Sequence, residues 1–222
     1  NKWFSRSFLN YLLGLTFLKK HIDTSNIHRV IEVGGGFGSL GEILSQAGEY
    51  SYVDIDIPPT AAVSSYYLSQ QSEITLLPYT ETRNLETISF PESGTQLVLC
   101  PWQLPQLQGD ADLFVNFISF QEMEPDVVEH YLHQADRLNC SFILLRNLRE
   151  GKQQKKENTL GVETPTLAGD YDHFLPNYQL IATNVNPFGF RTLDGFHSEL
   201  RLYQRTENNW IELLTKLHSW IV

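Results

Sequence analysis

The sequence predicts an α/β domain built on a mostly parallel sheet, and three observations carry that expectation. Residues 28–47 read as a buried strand, a glycine-rich turn and a helix: Ile31-Glu-Val-Gly-Gly-Gly-Phe-Gly38 runs on into Ser-Leu-Gly-Glu-Ile-Leu44. Tyr50-Ser-Tyr-Val-Asp-Ile-Asp-Ile57 alternates as a strand does and is stopped by Pro58-Pro59. Further apolar runs at 96–100, 112–118 and 141–145 are separated by helical or loop segments, and two alternating stretches follow them.

Each element follows from its local pattern. Residues 2–22 place Phe4, Phe8, Tyr11, Leu12, Leu15 and Leu18 at helical spacing. That predicts one or two helices that lead into the sheet and cover a pocket there. The first strand falls at 28–33 with its helix at 38–47, and the second at 50–55 with its helix at 60–70. Residues 74–77 have the composition of a short strand, whereas 80–93 is polar loop with at most a helical turn. Pro101 ends the third strand at 96–100. The run 112–118 reads as a strand covered on both faces. Residues 125–138 form a helix that tolerates Pro125 in its first turn, and 141–145 is the fifth strand.

The charged, glutamine-rich stretch 151–158 is expected to be mobile. Segments 179–185 and 199–204 flank a loop at 186–196 and pair antiparallel. A last helix over 207–221 aligns Trp210, Leu213, Leu214 and Leu217 on one face. The organisation expected is an N-terminal helical segment at 1–27, cap or tail of an upstream region, and one domain at 28–222.

Composition narrows the function. At 222 residues the chain fits one domain with a substantial core. Its net charge of −10 repels phosphate backbones, so nucleic-acid substrates are disfavoured. No run of about 18 apolar residues exists to span a membrane. Cys100 and Cys140 sit in apolar runs without disulfide or zinc spacing, as in a reducing cytoplasm. The chain starts at Asn1 and its only methionine is Met123, so it is expected to be a piece of a longer protein.

Gly34, Gly35, Gly36 and Gly38 let the backbone take positive φ and let a ligand approach main-chain N–H groups. A nucleotide-like cofactor is the reading that follows. Gly36-Phe-Gly-Ser-Leu-Gly41 also fits the dinucleotide fingerprint, but Glu32 stands two residues before the first glycine. An acid there suits a positive amino or sulfonium group better than a pyrophosphate. Asp54 and Asp56 lie about 20 residues past the first glycine, where an acid accepts both ribose hydroxyls. Alternation points both to one face of their strand. A glycine-rich turn with no ligand is the plain alternative; strand, helix and spaced acid together argue against it.

An acid two residues before such a turn, with a further acid closing the next strand, resembles the class I S-adenosylmethionine-dependent methyltransferases. That resemblance implies a Rossmann-like fold: seven strands in the order 3-2-1-4-5-7-6, mostly parallel with an antiparallel last strand, and helices on both faces. It implies S-adenosyl-L-methionine as cofactor. Ligands bind beyond the carboxyl ends of such strands, so loops 34–38, 54–58, 100–105, 117–123, 146–152 and 186–197 should converge.

A narrower resemblance is to the sugar O-methyltransferases of bacterial polysaccharide gene clusters. It rests on the glycine turn, Asp56-Ile-Pro58 with Tyr66-Tyr-Leu68, Asp112-Leu-Phe-Val-Asn116 with Ser119-Phe-Gln-Glu-Met123, Tyr131-Leu132, Leu144-Leu-Arg-Asn147 and Arg149-Glu-Gly-Lys152. The C-terminal part is similar only in layout. The resemblance implies methyl transfer to a hydroxyl of a sugar, glycan precursor or other small molecule.

In-line transfer to a hydroxyl gains from alignment and from a base within hydrogen-bond reach. Glu122, after the fourth strand, and His197, where the closing pair returns over the site edge, are the candidate catalytic residues; histidine suits a base near neutrality. His173 is a weaker candidate. Glu32, Gly34, Gly35, Gly36, Gly38, Asp54 and Asp56 are assigned to the cofactor. Trp102 is assigned to the adenine, and Asn116 and Ser119 to the methionine end or the acceptor. Arg146, Arg149 and Lys152 form a basic spot for an anionic acceptor, or else ordinary surface ion pairs. Asp170, Asp172 and Glu122 carry oxygen ligands suited to Mg²⁺, yet no compact acidic motif joins them, and no metal is expected. Two rival readings remain at this stage. One is a non-catalytic module in a longer chain, partnered by an upstream domain or a second copy. The other is an NAD(P)-dependent oxidoreductase, which Glu32 disfavours.

Overall fold

A computed structural model describes residues 4–152, 154–155, 161–185, 191–193 and 195–206. The chain begins with α1 (Arg6–His21), β1 (Arg29–Val33), α2 (Ser39–Ala47), β2 (Ser51–Ile55), α3 (Pro58–Ser69) and β3 (Thr75–Leu77). It continues through α4 (Tyr79–Thr82), β4 (Ile88–Ser89), β5 (Thr95–Leu99), β6 (Leu107–Gln108), β7 (Leu113–Phe117) and α5 (Pro125–Arg137). β8 (Phe142–Leu148), α6 (Asp170–Phe174), β9 (Tyr178–Val185) and β10 (Ser198–Arg205) complete it. The helix expected over 207–221 and most of the loop 186–196 lie outside the described residues.

Eight strands form the main sheet in the order β3-β5-β2-β1-β7-β8-β10-β9, and β4 pairs with β6 in a separate ribbon. The expected seven-strand order is contained in it. The difference is β3, which adds to the edge beside β5 in parallel, with Thr75 opposite Thr95. Its three residues need that neighbour to bond, so their pattern alone could not settle a strand. Pairing is parallel from β3 to β8; β10 then runs antiparallel to both β8 and β9.

Alternation along the strands divides the core between two faces. Ile31, Val33, Leu97, Phe114 and Ile143 pack with Phe120 and with Val128 and Leu132 of α5. Val30, Tyr52, Val115, Phe117 and Leu144 pack on the other face with α1, α2 and α3. β7 is buried along its whole length, as its apolar sequence requires. Among the described residues no helix is long and apolar enough to cross a membrane.

The N-terminal pattern produces one helix. The Ser5 hydroxyl caps α1 by accepting from the Phe8 N–H at 3.0 Å, and Lys19, Lys20 and His21 complement the dipole in its last turn. α1 lies against β7: the Tyr11 ring stacks on Phe117 with centroids 5.0 Å apart. Gly14 permits that approach, since a Cβ there would sit 2.2 Å from Phe117 Cζ. Phe117 is buried and held by Tyr11, so it has little room to withdraw. Gly14→Ala is therefore expected to lose roughly 1–3 kcal/mol by overpacking. Urea unfolding checks this as a lower midpoint with unchanged slope; an unchanged midpoint would show that the ring yields freely.

Candidate functional site

The carboxyl end of β1 runs straight into the glycine turn. Gly34 has φ 79° and Gly36 φ 64°, both left-handed. A side chain at Gly34 would collide with Ser119, its Cβ 2.1 Å from Oγ, whereas the space where Gly36 would carry a Cβ is open. Gly38, also left-handed, forms the N-cap of α2.

Two carboxylates brace this turn. Asp54 Oδ1 accepts from the Gly35 N–H at 3.2 Å, and its Oδ2 accepts from the Ser64 hydroxyl of α3 at 2.5 Å. Asp56 Oδ2 accepts from the Gly36 N–H at 2.9 Å, and Oδ1 from the Ile57 N–H at 2.7 Å. Both aspartates face the turn, as alternation required. The N–H groups of Gly34 and Gly38 are used as well, on Ile55 O and Gly35 O. Asp54 is wholly buried, and burial pushes its carboxyl up to about 7 against the opposing Ser64 hydrogen bond. Burial also raises Asp56.

Beneath the turn lies Glu32, in register with Asp54 across β1 and β2. It is wholly buried. Tyr11 Oη donates to Glu32 Oε1 at 2.7 Å, and Tyr52 Oη donates to Oε2 at 2.6 Å. Burial and then the Asp54 charge push Glu32 up to about 8, against those two hydrogen bonds. Burial first, then neighbouring carboxylates, raises both tyrosines, so they remain O–H donors.

The end of β7 is knitted to β1 and β8. Asn116 Nδ2 donates to Val33 O at 2.8 Å and to Ser119 Oγ at 2.5 Å. Its Oδ1 accepts from the Phe120 N–H and from Asn147 Nδ2. Gln121 completes the join, its Oε1 accepting from the Leu148 N–H at 3.0 Å. Between them Ile118 is held at φ 78°, an outlier for a β-branched residue.

Two cavities meet at Gly34, which borders both. The larger, about 410 Å³, is bordered by Asp56, Ile57, Thr60, Pro101, Ser119, Glu122, Met123 and Tyr131. The smaller, about 170 Å³, lies between the turn and α1; Ser7, Asn10, Tyr11, Gly35, Gly36, Ile118 and Arg146 border it. Past β8 the chain turns back on the same edge. Lys152 Nζ meets Glu122 Oε1 at 2.8 Å, and Arg149 Nε meets Glu199 Oε2 at 2.5 Å. Glu150 holds His197 twice, through Nδ1 at 2.5 Å and the backbone N–H at 2.7 Å. Burial pushes Glu150 up, but those two hydrogen bonds keep its carboxyl below the usual range.

Gly34, Gly35, Gly36, Asp56, Ser119 and Glu122 thus border the cavities, and several other assignments change. Glu32 and Asp54 border neither cavity; they support the turn from behind. Asn116 is wholly buried with its amide engaged on both sides, one bond going to Ser119, and it borders neither cavity. Trp102 faces a different cavity, of about 530 Å³, with Tyr66, Tyr79 and Val98, because the 3₁₀ turn after β5 carries it outward; Pro101 takes the place beside Asp56. His197 stands at the β8 edge, outside both cavity walls. Asp172 is engaged by Arg201 and Tyr203, and among the described residues no group of three or more His, Cys, Asp or Glu is placed to hold a metal ion.

Tyr11, Tyr52, Ser64 and Glu150 were missed. Tyr52 was the findable one, since Tyr52, Asp54 and Asp56 alternate onto one strand face.

No family model matches the chain, and no curated protein matches it in sequence. Solved structures match its fold. Mitomycin 7-O-methyltransferase superposes with TM-score 0.57 at 12% identity, over 89% of this chain and 54% of that one. A SAM-dependent methyltransferase from Methanosarcina mazei gives 0.59 at 11% identity, over 85% and 96%. Magnesium protoporphyrin IX methyltransferase from Synechocystis PCC 6803, with bound SAM, gives 0.56 at 13%, over 93% and 87%. This chain spans about half the length of the mitomycin enzyme. Its fold is the Rossmann-like one of class I methyltransferases, with one extra edge strand.

The raised acids make stability depend on pH. Glu32 and Asp54 ordinarily titrate near 4.5 and 3.8 and do so near 8 and 7 when folded. Between those limits the folded protein binds more protons than the unfolded chain, so stability is greatest below the lower limit and falls as pH rises through 7 to 8. Urea midpoints are expected to drop between about pH 5 and about pH 8.5, and less steeply in Glu32→Gln. Parallel curves for both proteins would refute the burial of an acid there.

Proposed function

We propose that this chain binds S-adenosyl-L-methionine and transfers its methyl group to a hydroxyl of a small molecule, a sugar or glycan precursor in particular. The observation that carries the reading is the carboxylate-braced turn. With the N–H groups of Gly34, Gly35, Gly36 and Gly38 all engaged and Asp56 beside them, the turn repels a pyrophosphate and favours a ribose next to a cationic group. The NAD(P) reading is disfavoured on the same ground.

Bound there, the cofactor supplies an electrophilic methyl on a sulfonium. Asp56 would accept the ribose hydroxyls, Ile57 and Pro101 would flank the adenine, and the turn with Ser119 would face the methionine end. Glu122, steadied by Lys152, lines the acceptor side. His197 borders neither cavity, so it would act as base only on an acceptor long enough to reach the carboxyl end of β8; there its Nδ1 is held by Glu150 and Nε2 is left to take the hydroxyl proton. The sugar class rests on the resemblance around Ser119-Phe-Gln-Glu-Met123; the acidic surface and the mixed cavity wall are compatible with a neutral, polar acceptor.

Titration calorimetry with S-adenosylhomocysteine tests the cofactor. Binding is expected, undisturbed by NAD, and Asp56→Ala should weaken it roughly 10- to 100-fold through loss of charge-assisted hydrogen bonds. No binding would favour a non-catalytic module. With radiolabelled cofactor and a panel of glycosides, His197→Gln is expected to lower turnover about 100-fold with the cofactor affinity unchanged. Full turnover in that variant would remove His197 from the chemistry.

A further inference from the structure

We propose that Arg146 is a carboxylate receptor, and that the smaller cavity beside the glycine turn is built around it. The guanidinium belongs to a residue only 8% exposed, and its Nε and Nη1 are buried without a hydrogen-bond partner among the described residues. Leaving a buried charged donor unpaired is strongly unfavourable, so a partner that the protein itself does not supply is the natural explanation. The neighbouring cations make the contrast plain: Arg149 and Lys152 each have a carboxylate within 2.8 Å. Among the described residues Arg146 has none, and Arg6 adds charge of its own sign nearby.

The surroundings fit a short anionic group. Among the described residues no acid borders the cavity, and Ser7 and Asn10 from the first turns of α1 contribute neutral polar groups. Its volume, about 170 Å³, is sufficient for the amino-acid end of a ligand. Gly34 joins it to the cavity bordered by Asp56, so a ligand with its ribose there extends naturally toward Arg146. Ile118, strained at φ 78°, donates its N–H to Arg146 O at 2.7 Å and holds the two walls together.

This deepens the reading above and rests on it: the carboxylate is that of the cofactor's methionine end, or one carried by the acceptor. Calorimetry on the wild type, Arg146→Gln and Arg146→Lys with S-adenosylhomocysteine and with 5′-methylthioadenosine, which lacks the carboxylate, separates these. If the cofactor is the source, the wild type prefers S-adenosylhomocysteine. Arg146→Gln then loses roughly 10- to 100-fold for that ligand alone, and Arg146→Lys recovers part of it. If the acceptor is the source, both variants keep that preference, and glucuronate binding to the S-adenosylhomocysteine complex is what Arg146→Gln loses. Apo Arg146→Gln should also melt higher than wild type, because an unpaired buried charge has gone; this melt confirms that the variant is folded. Unchanged binding of all three probes in a folded Arg146→Gln overturns the proposal. Failure of the wild type to bind either nucleoside instead overturns the cofactor reading and, with it, this assignment.

Discussion

Two aspartate carboxylates hold the glycine turn in shape, and the rest of the site is arranged around that contact. A buried N–H must find an acceptor, and Asp54 and Asp56 meet this need for Gly35 and Gly36. The turn therefore leaves β1 at a defined angle, α2 starts where Gly38 sets it, and the space above divides into two cavities that meet at Gly34. The same contact fixes the electrostatics. A turn whose N–H groups are directed at carboxylates has lost the partial positive charge that makes a phosphate cradle.

Glu32 adds a third acid behind the first two. Its burial is tolerable because two tyrosines from different elements donate to it, Tyr52 from the adjacent strand and Tyr11 from α1. Of these acids only Asp56 borders a cavity, the larger one, while the guanidinium of Arg146, unpaired among the described residues, borders the smaller. Opposite charges in adjoining cavities suit a ligand that is itself dipolar. The segment after β8 serves both candidate bases at once: Lys152 restrains Glu122, and Glu150 fixes the orientation of His197.

Much of the fold was legible because period and punctuation agree. Strand, glycines and helix around residues 28–47, and the alternation ended by Pro58-Pro59, each specify their own structure locally. The order of the central strands followed from resemblance and is present intact in the sheet. What stayed hidden depends on partners distant in sequence. Residues 75–77 become a strand only beside β5. The roles of Asp54 and Asp56 divide because Asp54 lies opposite Glu32 and next to Ser64, a distinction that alternation cannot make. Asn116 reads as a ligand-facing polar residue until Val33, Phe120 and Asn147 are seen to consume its amide. Trp102 stands elsewhere than expected because the 3₁₀ turn that starts at Pro101 directs it to a separate cavity, lined also by Tyr66 and Tyr79. The Glu150–His197 pair spans a separation of 47 residues that no local pattern reports.

Tyr11 belongs at once to the packing of α1 on Phe117, to the hydrogen bonding of Glu32 and to the wall of the smaller cavity. A ligand in that cavity would therefore be coupled to helix docking: docking would raise its affinity by the same factor by which the bound ligand would favour the docked helix. The amino-terminal segment would then serve as a latch on the pocket that it helps to form.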